Sequence, residues 1–197
     1  MTGLLVKRLI LLIGLLATFY ISATGAQGDS STDLPQFTSD NRLMPPEHYR
    51  EWIFLASGFG MTYNPASANV ADPPFDNVFV NPPAYKSFLK TGSWPDGTIF
   101  VLEIRASVSK GSINQGGHFQ NNEVHGLEVH VRDEQRFPGG WAFYDVISAG
   151  KPASALPRST SCYSCHSSHG AVDTTFVQFY PTLIDIAKQK GTFKLAE

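Results

Sequence analysis

The sequence is poor in cysteine, with two in 197 residues. That excludes a disulfide-stapled scaffold, which needs several bridges. Charge is sparse and nearly balanced: 15 Lys and Arg stand against 17 Asp and Glu, a formal net charge of −2. Such a balance offers no basic face, so no nucleic-acid or anionic-membrane partner is expected. Long apolar runs are missing beyond the N-terminus. The only candidate, Leu9 to Ala23, is short of the ~20 residues of a spanning helix. What is present points to a folded domain. Hydrophobic residues make up 42% of the chain, too many for disorder. Seventeen Gly and thirteen Pro favour turns and loops over a helical bundle.

Residues 1–26 read as an export signal. Lys7 and Arg8 precede the apolar run, and Thr24-Gly25-Ala26 supplies small residues for cleavage after Ala26. The expected location is the periplasm or beyond, with an uncleaved anchor as the alternative. Residues 27–44 read as a polar tail, and residues 45–197 as one domain of ordinary size. Pro45-Pro46-Glu47 opens a short helical stretch reaching Trp52. Asn64 to Pro74 reads as a loop, and Asn77 to Val80 as a strand. Asn81 is placed to cap a helix from Pro82 to just before Gly92. Trp94-Pro95-Asp96-Gly97 is a turn sequence. The strand after it, Thr98 to Arg105, puts Phe100, Leu102 and Ile104 on one face and Ile99, Val101 and Glu103 on the other. Ser109 to Asn122 reads as a loop, Leu127 to Val131 and Trp141 to Ile147 as strands, and Pro181 to Lys190 as helical. The expected fold class is α+β: a mainly antiparallel sheet with packed helices in a single domain.

One motif carries chemistry. Cys162-Tyr163-Ser164-Cys165-His166 is a C-x-x-C-H sequence, and it uses both cysteines of the chain. Two thiols at this spacing can each add to a vinyl group of a haem, and the adjacent His166 then becomes an axial ligand of the iron. One covalently attached haem c is expected. A zinc half-site lacks a second cysteine pair, and a redox C-x-x-C pair lacks the βαβ setting it usually occupies. An electron carrier would fill the sixth iron position with Met or His. Past the export signal only Met44 and Met61 remain, both far upstream of the motif. His118, His125, His130 and His169 are alternative ligands, each also readable as a surface or hydrogen-bonded histidine. The expected iron is five-coordinate, open to NO, CO or hydroxylamine.

Beyond the motif, the chain resembles the cytochrome P-460 family. The likeness runs through Tyr49-Arg50-Glu51-Trp52, Val80-Asn81-Pro82, Tyr85, Lys90-Thr91-Gly92 and Asp96-Gly97-Thr98. It continues through Gly126-Leu127-Glu128, Val131, Asp133, Arg136-Phe137, Gly140 to Phe143, Cys162 to His166, Asp173, Phe176 and Phe179-Tyr180-Pro181. The resemblance implies a mostly antiparallel sheet, a haem seated against it, and a homodimer. It also implies one of two behaviours. Cytochromes P-460 oxidise hydroxylamine and hand electrons to a partner protein, and their haem is cross-linked to a lysine. Cytochromes c′-beta lack that bond and bind NO or CO in an apolar pocket. The cross-linking position corresponds to Leu102, which favours the second behaviour. Lys90 and Lys110 are near in sequence and read as surface residues. Glu128 corresponds to the family's distal proton-relaying carboxylate and keeps the first behaviour open. Phe100, Leu102 and Ile104 would wall the distal side, or serve as plain core. Arg50 and Arg136 are candidates for haem propionates or for surface ion pairs. Trp52, Trp94, Trp141 and Tyr180 read as packing groups.

Overall fold

The computed structural model describes residues 33–62, 70–111, 113–146 and 150–194. The expected export signal, the first part of the expected tail and most of the expected loop after Met61 lie outside them. Among the described residues, no helix is long and apolar enough to cross a membrane.

Five antiparallel strands form one sheet in the order β1-β2-β3-β4-β5. They are β1 (Ile53–Phe59), β2 (Phe75–Val80), β3 (Ile99–Val108), β4 (Phe119–Arg132) and β5 (Trp141–Val146). Strand order follows chain order, and α1 (Pro82–Thr91) lies in the connection from β2 to β3. After β5 the chain crosses back through α2 (Ser161–His169), a 3₁₀ turn at Val177–Phe179 and α3 (Ile184–Gln189). The fold is α+β, as the sequence pattern implies.

Side-chain alternation divides the sheet into two faces. On one, Ile99, Val101, Val129, Val131, Ala142, Tyr144 and Val146 form a core with Leu43, Tyr49 and Trp52. On the other, Val80, Phe100 and Trp141 pack under Phe88, Trp94, Tyr180, Leu183 and Ala187 from the helices. Trp52, Trp94, Trp141 and Tyr180 are all buried, as packing groups should be. Burying a side chain of this size is worth roughly 1.5–3 kcal/mol.

Several boundaries differ from the sequence reading, each for a local reason. The helix expected from Pro45 to Trp52 shrinks to a single 3₁₀ turn at Tyr49–Glu51. Strand β1 was not visible in the sequence pattern. A bulge between Phe54 and Ala56 turns the successive residues Leu55 and Ala56 toward one core, which destroys the period of two. Strand β4 begins at Phe119, inside the expected loop. Its first half is polar and mostly exposed and is held by backbone pairing with β3 rather than by an apolar face. The stretch from residue 33 to 43 is not a loose tail. Leu43 is fully buried and bridges both Phe37 and Ala153, and Trp52 Nε1 donates to Asp33 at 2.9 Å.

Helix α1 has the expected bounds but not the expected cap. Pro82 and Pro83 have no N–H at the first two helical positions, so little is left there for the Asn81 side chain to accept from. Asn81 is fully buried and uses its amide elsewhere. Nδ2 donates to the carbonyls of Asp33 and Gly97, and Oδ1 accepts from the Ile99 N–H. Asn81 thereby fastens the start of β3. Gly92 ends the helix at φ 74°, a left-handed conformation that suits glycine.

Candidate haem site

The motif lies on α2, a helix with no fully buried residue. Tyr163, inside the motif, ties this helix to the sheet. Its hydroxyl donates to the Leu156 carbonyl at 3.1 Å and accepts from the Phe143 N–H at 3.4 Å. Leu156 N–H in turn bonds the Phe143 carbonyl, so the outer edge of β5 is covered. Cys162 and Cys165 are both free and half-buried. Burial, helped by the charge of Glu128, pushes the Cys162 thiol above its usual value. A redox-active C-x-x-C pair works the other way, with a thiol lowered toward neutral pH.

His166 is held through its Nδ1 by the backbone. Its Nδ1 lies 2.7 Å from the Thr174 carbonyl oxygen. A carbonyl only accepts, so Nδ1 carries the proton and Nε2 keeps its lone pair for a metal. Burial holds the imidazole below its ordinary pKa, with the Thr174 bond acting in the opposite sense. The ring is caged by Phe176 at 4.2 Å, Phe143 at 4.6 Å and His130 at 5.1 Å between centroids.

His130 is the one alternative histidine that reaches this region. It is buried, and it stacks on Phe143 at 3.9 Å with 12° between the planes. Burial, with the neighbouring His166, lowers its pKa well below the usual value, which keeps it neutral. It meets His166 edge-on and packs as a neighbour of that ring. His118 lies at the other end of β4, beside Ala71 and Asp72. His125 and His169 are exposed, as are Met44 and Met61.

Strand pairing fixes what shares the sheet face with Phe143. Phe100 pairs His130, Leu102 pairs Glu128, and Ile104 pairs Gly126, all pointing the same way. Phe100 is enclosed by Trp94, Trp141 and Tyr180 in the aromatic core. Leu102 and Ile104 continue the row and remain half-exposed. Glu128 stands directly opposite Asp145 on β5. Desolvation by the surrounding protein, together with Asp145, raises the Glu128 pKa although its side chain reaches solvent. Asp76, opposite Ile104 on β2, belongs to the same face. Its pKa is pushed up to about 6 by burial and then by Glu128. Three carboxylates thus flank an apolar row. Like charges paired across strands cost stability, and such local costs are typical of functional faces.

The basic residues singled out in the sequence, Arg50, Arg136, Lys90 and Lys110, stand elsewhere. Arg50 pairs with Glu103 on the opposite face, and Arg136 pairs with Asp133 and Asn41. Lys90 is exposed in the last turn of α1, and Lys110 is exposed beyond β3. The sequence reading missed Thr174, whose contribution is a backbone carbonyl without a residue signature. It also missed Asp76, which lies in a strand predicted too short to include it.

The donor set fits a haem. Among the described residues, no three His, Cys, Asp or Glu side chains converge to hold a bare metal ion. One imidazole with a free Nε2, beside two free thiols, suits an iron whose other ligands come with a macrocycle. Cys162 and Cys165 would carry the thioether bonds, and His166 Nε2 the axial bond. No match was found among curated proteins. A family model described as Cytochrome P460 matches residues 46–177, from the 3₁₀ turn through the haem motif to the second 3₁₀ turn. On that match, which spans more than half of the sequence and contains the motif, the chain belongs to the cytochrome P460 family.

Proposed function

We propose that this protein is an exported mono-haem c-type cytochrome whose five-coordinate iron binds small neutral ligands, NO or CO, in the manner of a cytochrome c′-beta. One observation carries the reading. His166, inside the C-x-x-C-H motif, has Nδ1 engaged and Nε2 free, and the row continuing from its cage along the sheet is Leu102 and Ile104. An aliphatic row solvates charge poorly, so it disfavours anions and admits diatomic gases. The leucine at position 102 also supplies no amine for a cross-link. The test is titration of the reduced protein with CO and with NO. Stoichiometric binding with a clear optical change supports the reading. A spectrum indifferent to both gases overturns it.

Glu128 favours a second reading, oxidation of hydroxylamine. A haem there would serve as the electron sink. Glu128, directly opposite Leu102 and with a raised pKa, would take the protons released at nitrogen. Hydroxylamine-dependent reduction of an added electron acceptor, slowed about 10²-fold or more in Glu128→Gln, would establish it. No turnover in the parent protein leaves the gas-binding reading alone.

A further inference from the structure

The short turn that holds His166 is itself held from the sheet. Val172 and Thr175 bridge one another through both backbone bonds. Between them, Asp173 adopts φ 51°, an uncommon conformation for a residue with a side chain. The next residue, Thr174, supplies the carbonyl that accepts from His166 Nδ1. A strained residue beside a functional carbonyl needs an external restraint. Arg132, at the end of β4, provides one: Nη1 donates to Asp173 Oδ2 at 2.9 Å. The guanidinium lies over the Trp141 ring at 5.5 Å and also contacts Glu134. On the other side of the turn, Trp94 Nε1 donates to Thr175 Oγ1 at 2.9 Å. Space closes the arrangement. A Cβ built on Gly170 would stand 2.7 Å from the His166 carbonyl oxygen and 2.9 Å from the Thr174 and Thr175 backbone. The turn and the end of α2 touch with no room for a side chain.

We propose that Arg132 and Asp173 are positioning residues for His166. Their ion pair keeps the 172–175 turn in the one shape that puts the Thr174 carbonyl on Nδ1, and so sets how strongly the imidazole donates through Nε2. A hydrogen bond at Nδ1 raises the basicity of a metal-bound histidine, which strengthens its bond to iron and favours the ferric state. The proposal rests on the haem reading above.

Simple electrostatics and the proposal predict opposite signs for one variant, and that decides the test. Removing the Asp173 charge raises a reduction potential by Coulomb's law alone, and removing the Arg132 charge lowers it. If the pair acts through Thr174, both changes loosen the same hydrogen bond and both raise the potential. The experiment uses haem-loaded Asp173→Asn, Arg132→Gln and the double variant. It reads the iron–histidine stretching frequency of the ferrous protein and the midpoint potential. Asn tolerates positive φ, so the turn survives loss of the charge. Both single variants are expected to shift the stretch downward and the potential upward, and the double variant no further than either. Should Arg132→Gln fail to load haem, Arg132→Lys keeps the charge, loses the fork, and is expected to shift the same way. A lowered potential in the Arg132 variant overturns the proposal, as does an unmoved stretch in variants that are merely less stable. A shift of the same size in Glu134→Gln, which leaves the Asp173 contact intact, also overturns it. Absence of covalent haem in the parent protein would overturn the haem reading as well, so the two failures are distinguishable.

Discussion

At the scale of single residues, chemistry in this protein depends on which atom of a side chain is already engaged. His166 spends Nδ1 on a backbone carbonyl and keeps Nε2. His166→Ala is expected to leave haem bound through Cys162 and Cys165 while abolishing the iron–histidine stretch; an unchanged ferrous spectrum would show that another residue ligates the iron. Asp76 makes a second prediction. Its pKa of about 6 lies above the ordinary 3.8 because burial and then Glu128 disfavour the charge. The folded state therefore binds this proton more tightly than the unfolded chain. The charged form begins to cost stability above pH 3.8, and the full cost is present above about pH 6. Asp76→Asn is expected to stabilise the protein by about 1–2 kcal/mol at pH 7, after allowance for partial solvent screening. Denaturant melts at pH 7 and pH 4 check it: the gain should nearly vanish at the lower pH, and a gain independent of pH would contradict the cause.

At the scale of elements, β3 joins the two faces. On the face opposite the haem motif it carries Glu103, almost fully buried. Tyr49, Arg50 and Arg105 all donate to this carboxylate. Burial alone would raise its pKa, but the Arg105 and Tyr49 hydrogen bonds and the two guanidinium charges outweigh burial and hold it at about 2. The sign is the reverse of that for Asp76. This contribution is present above the unfolded value of 4.5 and is lost as pH falls toward 2. Glu103→Gln is expected to cost about 3 kcal/mol at pH 7, with the deficit shrinking below pH 4.5. A deficit that persists at pH 2.5 would mean that shape and not charge holds the network. Elements also mark how far the sequence could be read. The bounds of α1 and the two faces of β3 as far as Ile104 were legible, because each rests on local chemistry: two prolines, an αL glycine, and a register that shifts only after Ile104. Strand β1 was not legible, because its bulge breaks the alternation. The first half of β4 was not either, because pairing to β3 needs only its backbone.

At the scale of the whole molecule, one sheet separates two tasks. The face built on Leu43, Tyr49, Trp52 and the Glu103 network holds the structure together. The other face combines a core with an apolar row, three carboxylates and the caged His166. The motif residues were legible from spacing alone. Their surroundings were not, since Thr174, Asp173 and Arg132 meet His166 only through a turn, a strand end and a backbone carbonyl. The central claim is that this arrangement gives a covalent haem with one protein ligand and an open second side. The most direct measurement is the optical spectrum of the purified, haem-loaded ferrous protein before and after CO. A high-spin, five-coordinate c-type spectrum that converts completely to a CO complex is the expected result. A low-spin, six-coordinate spectrum unaffected by CO would contradict the account, and a strongly red-shifted Soret band would show a lysine cross-link despite Leu102.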